Sequence, residues 1–309
     1  MDKCLIFSGT ASYLLSGKMA AYLGKQLGKI EISRFSDGEI SVQISENVRG
    51  KDVFVVQSTC HPVNENLMEL LVMLDAFRRA SPRRVTAVLP YYAYARQDRK
   101  DRPRVPITAK LVANLLVAAG ADRILTMDLH APQIQGFFDI PVDHLFAAPV
   151  IVGYFKKKGL KRPVVVAPDV GSVKMARAFA KHLGASLAIV DKRRDAPDKI
   201  EVMHVIGEVK AAQAIIVDDL ISTGGTITEA ARILVENGAE EVYGSCTHAV
   251  FSGQAKQLIA SSPLKELVVT DTIPHTELPP CVRVLSVAEL LGEAIKCIHL
   301  ETSVSSLFL

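Results

Sequence analysis

The chain has 309 residues, enough for two domains at about 150 residues each. Hydrophobic residues make up 49% and charged residues 22%, which supplies a sizeable core and argues against extended disorder. Thirty-six Lys and Arg against 33 Asp and Glu leave +3, too little for a body-wide field toward nucleic acid or membrane, and the most apolar runs, Leu111 to Ala121 and Leu145 to Phe155, stop well short of the ~20 residues that a membrane span needs.

From the N-terminus, Cys4-Leu5-Ile6-Phe7 is too short for a signal peptide and predicts a first strand, with Ser8-Gly9-Thr10 as its turn. Phe35-Ser36-Asp37-Gly38-Glu39 is a polar turn between Ile30-Glu31-Ile32 and Ile40-Ser41-Val42, which predicts a small hairpin or flap. Val53 to Val56, Val85 to Leu89 and Ile124 to Met127 predict buried strands. Leu67 to Ala80 and Ile107 to Ala119 predict helices between them, the second with Leu111, Leu115 and Ala119 on one face. A second run of the same kind follows Pro149. Its strands are Val164 to Val166, Leu187 to Val190, Ala214 to Val217 and Leu267 to Val269, and its clearest helices are Gly171 to Leu183 and Thr226 to Asn237, the latter stopped by Gly238. Near-continuous apolar strands joined by crossover helices predict two three-layer α/β domains with mainly parallel sheets, plus the small N-terminal flap. We place the first domain at 1–147, the second at 148–285, and a C-terminal helix (Val287 to Ile298) with its tail at 286–309; packing of that helix on the first domain is left open. Cys4, Cys60, Cys246, Cys281 and Cys297 are odd in number and widely spaced, which predicts neither a structural zinc nor a disulfide framework and suits a reducing cytoplasm.

Five segments offer chemistry. Tyr94 to Arg104 holds five basic and two acidic residues after a strand end, where α/β folds bind ligands; it is either a solvated loop or a clamp for ATP or polyphosphate, whose oxygens suit guanidinium forks. A single patch of this kind beside Tyr91, Tyr92 and Tyr94 is weak support for nucleic acid. Met127-Asp128-Leu129-His130 ends another strand, and a period of two predicts Asp128 and His130 on one side; His130 could be a proton shuttle, a cation ligand or a core histidine. Asp169, after Ala167-Pro168, offers a carboxylate for a magnesium-like shell completed by water and substrate phosphates. The sharpest element is Ala214 to Val217, then Asp218-Asp219-Leu220-Ile221-Ser222-Thr223-Gly224-Gly225-Thr226, then a helix. Its glycines and successive N–H groups can wrap a phosphate while the acidic pair accepts hydrogen bonds from sugar hydroxyls. The segment fits neither a GxxxxGK[ST] loop nor a GxGxxG fingerprint. Asp191-Lys192-Arg193-Arg194-Asp195, after the strand Leu187 to Val190, is a solvated strand end or a source of cations for a transferring phosphoryl group.

With these segments the chain resembles the ribose-phosphate diphosphokinases, or phosphoribosyl pyrophosphate synthetases, of the phosphate-regulated bacterial and animal type. The likeness also runs through Pro106 to Lys110, Gln133 to Asp143, Pro168 to Gly171 and Ser303 to Phe308, in family order over almost the whole chain. The resemblance implies a phosphoribosyltransferase-like fold and transfer of the β,γ-diphosphoryl group of ATP to O1 of ribose 5-phosphate, with Mg2+ as cofactor and AMP and 5-phosphoribosyl 1-diphosphate as products. It assigns Arg96 and Gln97 to ATP, with Phe35, Asp37, Gly38 and Glu39 receiving adenine, the base coming from a neighbouring subunit. It puts His130 and Asp169 at a magnesium site and Lys192 and Arg194 on a catalytic loop. Asp218, Asp219, Ser222, Thr223, Gly224, Gly225 and Thr226 are given to ribose 5-phosphate. Phosphate and ADP effectors are implied, with Arg49, Gln135, Asp143, His144, Ser303 and Ser305 as candidate contacts, as are a cytoplasmic location and a homo-oligomer, with a hexamer built from dimers. Three positions depart from the common pattern: Ser222 stands where aspartate is frequent, Ser172 where glycine is, and His144 where asparagine is. A phosphoribosyltransferase and a non-catalytic regulatory relative are the alternatives; the Arg96 loop, the Asp37/Glu39 turn and the Lys192/Arg194 pair favour the diphosphokinase.

Overall fold

The computed structural model describes residues 1–193 and 202–307. In chain order its strands and helices are β1 (Cys4–Ser8), α1 (Tyr13–Tyr22), β2 (Ile30–Arg34), β3 (Ile40–Ile44), β4 (Asp52–Val56), α2 (Val63–Arg79), β5 (Arg84–Leu89), α3 (Thr108–Ala119), β6 (Arg123–Met127), β7 (Val142–Leu145) and α4 (Ala148–Lys158). They continue as β8 (Pro163–Ala167), α5 (Val173–Leu183), β9 (Ser186–Arg193), β10 (Val202–Ile206), β11 (Gln213–Ile221), α6 (Gly225–Glu236), β12 (Glu241–Ala249), α7 (Ala255–Ala260), β13 (Glu266–Thr270), β14 (Val282–Leu285) and α8 (Ala288–His299).

The chain divides into two compact units. The first is 1–146 with 272–274 and 286–309, and the second is 147–271 with 275–285. The first unit holds a five-stranded sheet in the order β1-β4-β5-β6-β7, parallel throughout. Every residue of β4 is buried, as a strand covered on both faces requires. On one face Leu70, Met73, Leu74 and Phe77 of α2, at helical spacing, meet Phe7, Val53, Val55 and Val85. Glu65 in the first turn of α2 and Arg78 and Arg79 in its last complement the helix dipole. α1 packs against β1 and α8. Asp52, only 1% exposed, could not be buried alone as a carboxylate; Arg84 reaches both its oxygens at 3.1 Å and His299 Nδ1 lies 2.7 Å from Oδ2. Arg84 also donates to the Ile298 carbonyl at 3.0 Å, so the end of α8 is fastened to β4 and β5.

Helix α3 departs from expectation in its orientation. Ala109, Val112, Ala113 and Leu116 face the core, whereas Leu111 and Leu115 are 53% and 39% exposed. α3 is apolar around most of its circumference, so its packing rather than its periodicity decides which face is buried.

The second unit holds a seven-stranded sheet in the order β10-β9-β8-β11-β12-β13-β14, parallel except for the antiparallel edge pair β9/β10. Val164, Val166, Ala214, Ile216, Ile227 and Leu234 belong to its core. The sequence did not announce β7, β10, β12 or β14. β12 is buried along nearly its whole length, yet Gly244, Ser245, Thr247 and His248 break its apolar run. The apolar run from Leu145 divides instead between the end of β7 and α4, which starts beside Pro149.

Candidate active site

Parallel β-sheets gather ligands at the carboxyl ends of their strands. In the second unit β11 pairs with β8 only as far as Ile216↔Val166 but continues to Ile221 alongside β12. Asp218 and Asp219 therefore lie on strand rather than loop, at the end where β8 has given way to Pro168 to Ser172. Ser172 joins the two carboxylates. Its N–H donates to Asp169 Oδ1 at 2.9 Å, and its hydroxyl lies 3.1 Å from that oxygen and 3.0 Å from Asp218 Oδ1. Asp218 Oδ1 also accepts the Asp219 N–H at 3.0 Å. Burial, and then the charges of Asp219 and Asp169, push the Asp218 carboxyl up to about 8. Ser172, one of the departures from the family pattern, thus bridges carboxylates that a glycine would leave unbridged.

The sign of the pH dependence follows. A carboxyl raised from its ordinary value of about 3.9 leaves the protein most stable below that value, and the stability is lost as pH rises through about 8. Asp218→Asn is therefore expected to raise the melting temperature of the ligand-free protein by several degrees at pH 9 and far less at pH 5. Thermal melts at the two pH values check this; an equal shift at both would refute it.

After Ile221 the chain turns through Ser222 and Thr223 into α6. Gly224 has a φ of +82°, a conformation that disfavours any other residue, and no side chain caps the helix. The first N–H groups of α6 are thus open to an anion. At Gly225, by contrast, an added Cβ would meet nothing within 4 Å, so a ligand's approach, not protein packing, is what would call for glycine. Thr223, Gly225 and Thr226 are exposed. Thr228 Oγ1 donates back to the Gly224 carbonyl at 2.9 Å, closing the first turn. A second turn supports this one: Phe251 N–H donates to the Ile221 carbonyl at 3.1 Å, Ser252 N–H to the Ser222 carbonyl at 2.9 Å, and the Ser222 and Ser252 hydroxyls lie 2.9 Å apart. No sequence signal pointed to residues 251 and 252.

In the first unit Phe35 to Glu39 forms the tip of the antiparallel β2–β3 hairpin, with Gly38 at φ +94° and Phe35 58% exposed. The Asp37 carboxylate is already used, accepting the Glu39 N–H at 3.1 Å. Arg34, at the base of the turn, pairs with Glu65 at 2.8 Å, and the Tyr94 hydroxyl donates to Asn64 Oδ1. The hairpin and the Arg96 loop are thereby tethered to adjacent residues in the first turn of α2, two anchors the sequence did not disclose. Arg96 and Gln97 are exposed; Gln97 donates its N–H to the Tyr94 carbonyl at 2.9 Å and accepts the Thr108 hydroxyl.

The expectation for Asp128 and His130 is corrected. Asp128 takes a positive φ of 39°, so the alternation ends with β6; Asp128 is buried and His130 exposed. His144, on β7, is buried, and its Nε2 accepts the Leu129 N–H at 2.8 Å, bracing the same turn. Among the other effector candidates, Asp143 pairs with Arg123 at 2.6 Å, Gln135 donates to the Pro132 carbonyl at 2.9 Å, and Ser303 and Ser305 hydrogen-bond to each other at 2.9 Å. Arg49 is exposed. Lys192 lies on β9, opposite Met203 in the ladder, and Arg194 lies outside the described residues.

A strand carrying paired carboxylates near its end, followed by a glycine turn and an uncapped helix, defines an α/β protein whose strand end sets hydrogen-bond acceptors beside open N–H groups. Residues 4–120 match the family model of the N-terminal domain of ribose phosphate pyrophosphokinase, and 194–309 that of the phosphoribosyl synthetase-associated domain. The chain is 56% identical to the ribose-phosphate pyrophosphokinase of Campylobacter jejuni over 98% of both chains, and 55% identical to that of Clostridium tetani over 98% of this chain and 96% of the relative. The crystal structure of phosphoribosylpyrophosphate synthetase from Mycobacterium smegmatis matches with a TM-score of 0.92 and 44% identity, covering 97% of this chain and 99% of that one. The chain belongs to the ribose-phosphate pyrophosphokinase family.

Proposed function

We infer that the chain transfers the β,γ-diphosphoryl group of ATP to O1 of ribose 5-phosphate. The O1–Pβ bond forms as the bond from Pβ to the α,β-bridging oxygen breaks, giving 5-phosphoribosyl 1-diphosphate and AMP. Similarity to pyrophosphokinases along 98% of the chain carries this reading, and the acidic strand end with its glycine turn supplies the site. AMP release should require ATP, Mg2+ and ribose 5-phosphate together; AMP formed at the same rate without the sugar phosphate would overturn it.

In this reading the Ser222–Thr226 loop holds the 5-phosphate on the N–H groups at the start of α6, and Asp218 and Asp219 accept the ribose hydroxyls. That fixes O1 for in-line attack, where catalysis rests on placement and charge. Arg96 and Gln97 hold the ATP phosphates, while Lys192 and Arg194 neutralise the charge that builds on the transferring group. The chemistry of the ribose-side acids suits a divalent cation. Burial and mutual repulsion among Asp218, Asp219 and Asp169 raise proton affinity, and a cation would relieve that repulsion as a proton does. Among the described residues no group of three or more His, Cys, Asp or Glu side chains could hold a metal ion, so substrate oxygens and water would complete a shell begun by Asp169. Mg2+ there would supply Lewis-acid stabilisation of the phosphoryl oxygens.

The turn at Phe35 to Glu39 recognises adenine, its exposed phenyl ring being suited to stacking on a base. Because Asp37 also holds the turn together, Asp37→Asn with Glu39→Ala keeps that acceptor while removing the charges. We expect this pair to lower the ATP-over-GTP ratio of kcat/KM about tenfold, the worth of one hydrogen bond. Retention of the parent ratio would move base recognition elsewhere.

The same reading makes the protein a homo-oligomer, a hexamer assembled from dimers, with phosphate and ADP acting at Arg49, Gln135, Asp143, His144, Ser303 and Ser305. The exposed leucines of α3 suit an interface. Among the described residues no helix is long and apolar enough to cross a membrane. The five cysteines are free thiols, which suits a reducing cytoplasm.

A further inference from the structure

We propose that His275 is a positioning residue for ribose 5-phosphate: from outside the phosphate loop it fixes the turn after β12 on which that loop rests. The proposal deepens the functional reading above, resting on Ser222–Thr226 as the sugar-phosphate loop.

Ala249 is the last residue of β12, and His275 Nε2 lies 2.7 Å from its carbonyl oxygen. A carbonyl can only accept, so this nitrogen carries the proton and the ring is the donor. The imidazole lies against the Phe251 ring, with centroids 5.3 Å apart. Phe251 itself is only 8% exposed and has a positive φ of 47°. A bulky residue keeps such a backbone conformation only where its surroundings over-determine it, and such residues cluster at functional sites. Here the restraints converge on the phosphate loop: Phe251 N–H holds Ile221, Ser252 N–H holds Ser222, and the two serine hydroxyls meet. Further along, Ala255 lies under Gly224, where an added Cβ would come 3.5 Å from its Cα. Every one of these contacts depends on how the chain leaves β12, the point His275 fastens. Burial lowers the His275 pKa, with Lys256 adding to the effect, so the ring is a neutral donor at neutral pH.

The test is steady-state kinetics on the full chain with ATP and Mg2+, comparing His275→Leu, His275→Gln and, as the reporter of the loop itself, Gly225→Val. His275→Leu removes the donor and should raise KM for ribose 5-phosphate about tenfold, the scale of one hydrogen bond, with much smaller changes in kcat and in KM for ATP. His275→Gln places an amide N–H near the position of Nε2 and should restore KM to within about twofold of the parent. A general loss of packing would not give that split or that rescue. If Gly225→Val raises the sugar-phosphate KM while His275→Leu does not, the inference fails and the loop assignment stands. Equal KM increases in the Leu and Gln variants overturn it as well, because the hydrogen bond would then be irrelevant. If Gly225→Val leaves that KM at the parent value, the loop assignment fails and the inference with it. Should His275→Leu not fold, His275→Asn, polar but too short to reach Ala249, takes its place with the same expected KM.

Discussion

Gly225→Val is expected to weaken ribose 5-phosphate binding about a hundredfold or more while leaving the melting temperature within a few degrees of the parent. Gly225 opens α6, its φ lies outside the left-handed region, and a Cβ there would meet no protein atom within 4 Å. Valine in a first helical turn costs only a fraction of a kcal/mol in propensity. The loss therefore falls on the ligand: branched methyl groups would occupy the space over the N–H groups that receive phosphate. Hydrogen bonds to a charged group contribute roughly 1.5–3 kcal/mol each, so losing two of them accounts for a hundredfold or more. Gly224→Val is the contrasting variant. With a φ of +82° it strains the backbone by about 1–2 kcal/mol, so it should lose stability as well as affinity. Calorimetric titration of ribose 5-phosphate beside thermal melts separates the two. Parent affinity in Gly225→Val would place the phosphate elsewhere.

Lys192→Ala is expected to lower kcat about a hundredfold or more, with ribose 5-phosphate affinity changed only a few-fold. The expectation rests on charge: as the bond to the α,β-bridging oxygen breaks, negative charge spreads over the transferring group and onto departing AMP, and a cation that meets it only then acts on kcat rather than on ground-state binding. Lys192 lies near the end of β9, adjacent in the sheet to β8, whose C-terminal end leads to Asp169. Saturating-substrate turnover within about twofold of the parent would remove Lys192 from the transition state.

Much of this was legible in the chain. Apolar β-branched runs identified β4, β5 and β6 of the first sheet and β8 and β11 of the second, because a strand covered on two faces favours such residues. The segment from Asp218 to Thr226 stood out as a candidate phosphate site through residue type alone, since acids, small residues and a helix start seldom coincide in nine residues by chance. Where its strand ends was not legible: the acidic pair lies on β11, whose pairing with β12 continues past its pairing with β8. A strand's length is set by its neighbours, and β12 was itself hidden by its polar and small residues.

What the sequence by itself determined is the inventory: the α/β alternation, the two acidic and basic strand ends, and the membership of the family. Tertiary structure alone decided how those groups act. It turned Leu111 and Leu115 of α3 outward, since a helix apolar on several faces is oriented only by what packs against it. It ended the alternation at Asp128, parting that residue from His130. It brought Asp169 and Asp218, 49 positions apart, to either side of Ser172, and burial with the nearby charges of Asp219 and Asp169 raised the Asp218 carboxyl to about 8. And it brought His275 to Ala249, 26 positions away, beside the turn that holds Ile221 and Ser222. Local pattern carries propensity and charge, but burial, hydrogen-bond geometry and mutual repulsion depend on distances between residues far apart in the chain, which only the packed fold sets.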